Sequence, residues 1–281
     1  MLNSWIFLVL MYGILKGIRD VIKKKALEKS TVMEVLFFYT VIAFIMVTPT
    51  AGEAITLDKG YIAIIGVKSA IVFSAWVIGF KSLQKLPVSF YGVMDLSGVL
   101  FSALMGVVFL GEVLKLNQYL GLGIVMLGLF LVNYNRGSRE EINPKYALMA
   151  LISCILNATS GLMDKILMKN MTSSQLQFWF MAIMVVLYFV YILITKEKVN
   201  WKCIKNNVWI IVMSVLFVIG DKALFIANSI PDSKVSVMTI LKQSACFVAI
   251  VGGRLVFKEK NIAFRLLCAV VIIIGIYISV L

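Results

Sequence analysis

The chain has 281 residues, 61% of them hydrophobic and 15% charged, with a mean hydropathy of +0.98; a water-soluble domain is nearer half apolar and one quarter charged. At about 20 residues per span, this length holds roughly ten membrane-crossing helices and leaves no room for an extramembrane catalytic domain. The net charge of +13 sits mostly in short clusters between apolar runs, which is the pattern of loops at a membrane surface and excludes nucleic acid as the expected partner.

Apolar runs of spanning length fall at residues 3–22, 33–50, 61–80, 87–110, 117–134, 146–163, 176–195, 208–229, 235–257 and 262–281. The first opens Met1-Leu2-Asn3 with no basic region and no clear small-residue cleavage site, so it reads as a retained span. Lys16, Arg19 and Asp20 in its second half penalise insertion and suit a half-buried or tilted helix. The third span carries Lys68, whose stem is long enough to snorkel to the nearer interface. The fourth opens on Leu86-Pro87-Val88-Ser89, carries Asp95 eight residues in, and closes on Phe109-Leu110-Gly111-Glu112. The polar stretch from Tyr134 to Lys145 divides the chain into a first unit, 1–135, a loop, 136–145, and a second unit, 146–281. The eighth span holds Asp221 and Lys222 near its centre, and the ninth holds Lys242. The fifth, seventh and tenth have no charge in their interiors, as scaffold or lipid-facing helices do.

Each unit has five spans. An offset of 147 places Ser82 on Ser229, Val88 on Val235, Ser89 on Ser236, Ser97 on Ser244, Gly106 on Gly253, Glu112 on Glu259 and Gly128 on Gly275. Nearer the start of each unit an offset of about 141 works better, with Lys16 on Asn157 and Lys24 on Lys165. Because five is odd, tandem copies lie in the membrane with opposite orientation, as in alternating-access carriers. Gly98, Ser102 and Gly106 match Ala245, Ala249 and Gly253, and small residues four apart predict close helix packing on both faces.

The residues that open and close the fourth span, with Gly121 and Gly128 in the fifth, resemble the EamA-like proteins of the drug/metabolite transporter superfamily, and the resemblance covers nearly the whole chain. The second copy is degraded to Ser233-Lys234-Val235-Ser236, Val256-Phe257-Lys258-Glu259 and Gly275, with Cys268 where the first has Gly121. The resemblance implies an all-α integral membrane protein whose ten transmembrane helices form two inverted five-helix repeats. It also implies transport of a small metabolite or amphipathic compound.

An ionisable group at mid-membrane costs at least about 2.5 to 3.5 kcal/mol on insertion scales, so such groups mark candidate sites. Asp95 and Lys242 occupy equivalent repeat positions at mirrored depths, which makes either a bipolar cavity able to hold a zwitterion or an internal ion pair. Asp221 and Lys222 point apart by 100° of helical turn, so one can meet Lys242 or Asp95 while the other lines the cavity. The alternative is that these charges form buried pairs that only fix helix orientation. Lys16 and Asn157 suggest a polar lining from spans 1 and 6, and Trp76, Tyr91 and Gln243 are further substrate contacts. Glu112 and Glu259 end their helices and read as solvated landmarks. The chain has no His, and its four cysteines form no close pair. No metal site, cofactor or catalytic residue is therefore expected, and Asp95, Asp221 or a lysine must carry any coupled proton.

The odd-numbered connections hold about fifteen Lys and Arg and the even ones about five, which by the positive-inside rule places both termini outside. The family resemblance implies both termini inside. The reading that follows is a secondary transporter of a small zwitterionic or charged organic metabolite, amino-acid-like, in the cytoplasmic membrane. It works by alternating access, as a monomer or weak homodimer, in contact with lipid and its small-molecule substrate. Transport of cationic amines or drugs is the alternative, ahead of a membrane-bound lipid-modifying enzyme.

Overall fold

The computed structural model describes residues 4–101, 115–134, 142–168, 170–230 and 241–280, all of them helix, turn or connection. The longer helices are α1 (Ser4–Leu27), α2 (Val32–Val47), α3 (Lys59–Lys85), α4 (Val88–Asp95), α5 (Leu116–Tyr134), α6 (Pro144–Leu167), α7 (Ser173–Thr195), α8 (Val208–Ser229), α9 (Ser244–Phe257) and α10 (Ile262–Val280). They follow the apolar runs in order. Ser102, Gly106, Glu112, Ser233, Lys234, Val235 and Ser236, which the sequence reading used, lie outside the described residues.

Local chemistry sets the helix starts. Thr31 and Glu34 form a reciprocal capping box at α2, as Thr172 and Gln175 do at α7. Asp58 accepts the Gly60 N–H at α3, and Asn143 caps α6 with Pro144 at its first position. Both α4 and α9 adjoin an interruption. Helix α4 stops at Asp95, a turn occupies 96, and helix resumes over 97–101; residues 241–242 are helical, 243 is a turn, and α9 begins at Ser244. In each case the N–H three residues beyond the turn bonds back to it, Val99 to Leu96 at 3.2 Å and Cys246 to Gln243 at 3.0 Å. The two breaks are 147 positions apart, the offset read from sequence.

Among the described residues, four helical stretches are long and apolar enough by themselves to cross a membrane: Val32–Ala54, Lys59–Lys85, Pro144–Asp164 and Ser173–Thr195. Val88–Phe101, Leu116–Leu131, Ser244–Phe257 and Ile262–Ile278 are shorter apolar helices. Helices α1 and α8 fall outside both groups; α1 has six charged residues, from Lys16 to Lys25. The count of ten therefore rests on the order of the runs and not on each helix crossing unaided.

Packing is paired across the two repeats. Helix α2 packs on α7, α4 on α9 and α5 on α10, while α1 lies on α8 and α9, and α6 on α3 and α4. Each pairing recurs when first-repeat helices are exchanged for their second-repeat mates. The apolar core follows this pairing, with one cluster centred on α2, α3, α7 and α8 and another on α4, α5, α9 and α10. Both clusters draw on both repeats, so neither sequence unit packs by itself.

Small residues make the closest approaches. A Cβ on Gly17 would stand 2.6 Å from the Ala245 carbonyl oxygen, and one on Gly275 would stand 2.7 Å from that of Gly121. Of the small-residue face expected on span 4, Gly98 instead has open space around it, and the approach between α4 and α9 is made by Gly92 against Ala249. The odd-numbered connections gather at one end. There the Asn207 side chain donates to the Ala26 carbonyl at 2.8 Å, the Glu34 carboxylate accepts the Asn200 N–H at 2.9 Å, and the Ser82 hydroxyl donates to the Tyr146 carbonyl at 2.8 Å. At the other end the Thr172 hydroxyl meets the Glu53 carboxylate at 2.6 Å.

Candidate functional site

Two helices present polar stripes to one interior cavity of about 290 Å³. On α1 the stripe is Tyr12, Lys16, Arg19, Asp20 and Lys23, and the spacing of three and four puts them on one face. On α6 it is Ser153, Asn157, Ser160, Gly161 and Asp164. The offset of 141 lays Lys16, Arg19, Asp20 and Lys23 on Asn157, Ser160, Gly161 and Asp164, so the repeat has one charged and one mainly polar copy of the same face. Helix α3 adds Lys68, Trp76 and Phe80; α4 adds Tyr91 and Asp95; α8 adds Phe217 and Asp221.

Among the described lining residues the charges balance. Lys16 bonds Asp95 across α1 and α4. Lys23 bonds Asp20 at 2.7 Å, Lys68 faces Asp164 at 3.3 Å, and Arg19 faces Asp221 at 3.7 Å. Arg19 also lies 5.1 Å above the Phe217 ring, Lys23 4.8 Å above Phe80, and Lys68 3.9 Å above Phe180. Phe217 meets Tyr39 and Trp76 edge to face, and Tyr39 and Trp76 are tilted to each other, with centroids 5.3 to 5.8 Å apart. Opposite charge within a few ångströms and ring faces beneath the cations offset the cost of removing each ion from water.

Exposure of the wall carboxylates falls from one end to the other. The Asp164 side chain, near the end of α6 where the even connections lie, is 36% exposed; Asp95, at middle depth, is 29% exposed; Asp20, toward the odd connections, is 7% exposed.

The structure places six of the residues singled out from sequence in this wall: Lys16, Trp76, Tyr91, Asp95, Asn157 and Asp221. Lys222, Lys242 and Gln243 are not among the lining residues. The Lys222 ammonium donates to the Ser174 hydroxyl on α7 at 3.1 Å. Lys242 and Gln243 sit at the interruption before α9, and a Cβ on Gly13 of α1 would meet the Lys242 carbonyl at 3.4 Å. Asp95 thus meets Lys16 of α1. Lys68 does not snorkel, since it is 4% exposed and turned to Asp164. Sequence reasoning passed over Arg19, Asp20, Lys23 and Asp164 as site residues. Helical spacing from Lys16 signals the first three, and the 141 offset from Lys23 signals the last.

Glu259 is also unlike its sequence reading. It is 5% exposed, with one carboxylate oxygen accepting the Val88 N–H at 2.6 Å and the other accepting the Ser89 N–H at 3.0 Å and its hydroxyl. Arg265, itself 4% exposed, donates to the Ser89 hydroxyl and to Glu259 at 3.3 Å. Lys24 bonds the Leu86 carbonyl and lies 3.9 Å from Glu259. A carboxylate that takes up the free N–H groups at a helix start needs no bulk water.

A model of the EamA-like transporter family matches residues 3–134 and again residues 144–281. A solved crystal structure superposes on this chain with a TM-score of 0.64, covering 96% of each chain at 12% identity, which is a likeness of fold. Comparison with curated proteins gives no significant match.

Proposed function

This chain belongs to the EamA-like transporter family, and on that premise we propose that it is a secondary carrier of a small zwitterionic organic metabolite, amino-acid-like in its charges. It is a multi-pass membrane protein of the drug/metabolite transporter type with a small-molecule substrate. In the proposed reading, units 1–135 and 146–281 lie with opposite orientation in the cytoplasmic membrane as ten spans, and the cavity opens to either face in turn.

The observation that carries the substrate class is the charge balance of the wall, four cations facing four carboxylates. A cavity of one sign would hold an ion of the other; a balanced one suits a solute with both charges, because such a solute can exchange partners without leaving a wall charge bare. Lys16, Arg19, Asp95 and Asp221 are the proposed charge contacts, with Asn157, Trp76 and Tyr91 beside them. Against cationic amines stands the occupation of three wall rings, Phe217, Phe80 and Phe180, by Arg19, Lys23 and Lys68. With no His in the chain, Asp95 and Asp221 are the proposed proton carriers.

A thermal-shift screen of purified protein tests the class. Amino acids are expected to raise the midpoint, because a ligand at 100 times its Kd adds about 2.7 kcal/mol of stability. Their decarboxylated amines and deaminated acids are expected to shift it less. A response to amines alone overturns the zwitterion reading.

A further inference from the structure

The buried cluster at the odd-connection end does more than cap a helix: we infer that Glu259 is a latch that holds this face of the carrier shut, and that its release opens the cavity there. The inference rests on the alternating-access reading above. Its first support is connectivity. Glu259 and Arg265 flank the connection from α9 to α10 in the second repeat, the donor N–H groups of Val88 and Ser89 start α4 in the first, and Lys24 lies in the last turn of α1. No other set of described contacts ties these four helices at a single point. Helix α4 carries Asp95 two turns further on, so a movement of its start reaches the cavity directly.

The second support is the gradient of exposure. The Asp164 side chain is 36% exposed and that of Glu259 is 6% exposed. Among the described residues the cluster is therefore closed to solvent, while the carboxylate at the opposite end of the α6 stripe keeps partial exposure. Phe80, Lys23 and Asp20 form the part of the cavity wall toward the odd connections.

The third support is chemistry suited to two states. Hydrogen bonds and an ion pair have a preferred geometry and can be exchanged for water, whereas an apolar seal in a membrane gains little from helix contact alone. The carboxylate sits against bare backbone, since a Cβ on Gly253 would stand 2.6 Å from it and 3.3 Å from the Ser89 nitrogen. Valine, serine, glycine and glutamate at these positions recur 147 residues away as Val235, Ser236, Gly106 and Glu112, so four of the seven repeat identities belong to this cluster. Arg265 does not recur. Its mate is Gln118, which accepts the Lys115 N–H at 2.7 Å. The latch at the odd end thus has a cation that the opposite end lacks at the matching position, which favours the state seen here.

The test reads which side reaches the cavity. In a background with the four native cysteines replaced by alanine, Ser153→Cys in the wall is labelled with a charged, membrane-impermeant thiol reagent applied to each side of proteoliposomes in turn. Lys198→Cys, exposed in an odd connection, marks the side. With the latch intact, Ser153→Cys is expected to label mainly from the even side. Adding Glu259→Gln, or Arg265→Met, is expected to raise odd-side labelling about tenfold and to lower even-side labelling, the size of shift that one lost charge-assisted bond gives a two-state equilibrium. Unchanged sidedness in a folded variant, even with a lower thermal midpoint, overturns the latch and leaves a structural cap. Should both variants fail to fold, Ser89→Ala keeps the Glu259–Arg265 pair and is expected to shift sidedness in the same direction by less; no shift there overturns the proposal as well. The labelling needs no substrate, so the latch and the zwitterion reading stand or fall separately.

Discussion

Lys16 and Asp95 show what depth along a helix can and cannot say about a side chain. Counting residues puts Asp95 and Lys242 at equivalent depths, yet Asp95 bonds Lys16, because which way a side chain faces depends on its helix's rotation about its own axis. The stripe on α1 is legible from spacing once Lys16 is accepted, and Arg19, Asp20 and Lys23 follow from it. Their pairing is not, since each partner except Asp20 comes from another helix. Replacing Asp95 by Asn leaves a half-buried ammonium without its carboxylate; truncating one side of a desolvated pair costs about 2 kcal/mol, and partial exposure lowers that figure. Asp95→Asn is therefore expected to lower both the thermal midpoint and substrate exchange in proteoliposomes. Adding Lys16→Met is expected to recover the midpoint while exchange stays low, and recovery of both would show that the pair serves only to orient helices.

At the scale of the element, the interruptions beside Asp95 and Gln243 are the strongest sign that the repeat is structural. Nothing in composition marks them: there is no Pro at Leu96 or Gln243, and a serine follows each. The two breaks also pack alike. The Cys154 thiol lies 3.7 Å from the Met94 carbonyl, and Gly13, which the 141 offset places on Cys154, faces the carbonyls of Leu241 and Lys242. Close approach of α1 to α9 requires Gly17, and overpacking costs about 1–3 kcal/mol. Gly17→Ala is expected to lower the thermal midpoint in detergent by several degrees. Gly66→Ala is the control, because a Cβ there meets nothing within 4 Å; it is expected to be neutral or slightly stabilising through helix propensity.

For the whole molecule, the gathering of the odd-numbered connections at one end gives the charge asymmetry a physical location. If the positive-inside rule governs insertion, that end faces the cytoplasm and a C-terminal tag is readable only from outside intact cells; a tag protected there would show that the family's expected orientation prevails. Proton coupling belongs to this scale too. An imposed pH gradient is expected to drive uptake into proteoliposomes, and Asp95→Asn with Asp221→Asn is expected to abolish the response. Sequence by itself determined that the chain lives in a bilayer, that it is duplicated about a polar middle, and that its interior holds charges that lipid would reject. Those conclusions follow from hydropathy, period and the cost of burying an ion, which are additive along a chain. Tertiary structure alone decided which acid meets which base, that Glu259 is buried against the start of α4, and that each apolar core mixes helices of both repeats. These depend on the rotation and crossing of helices far apart in sequence, set by packing among many side chains at once.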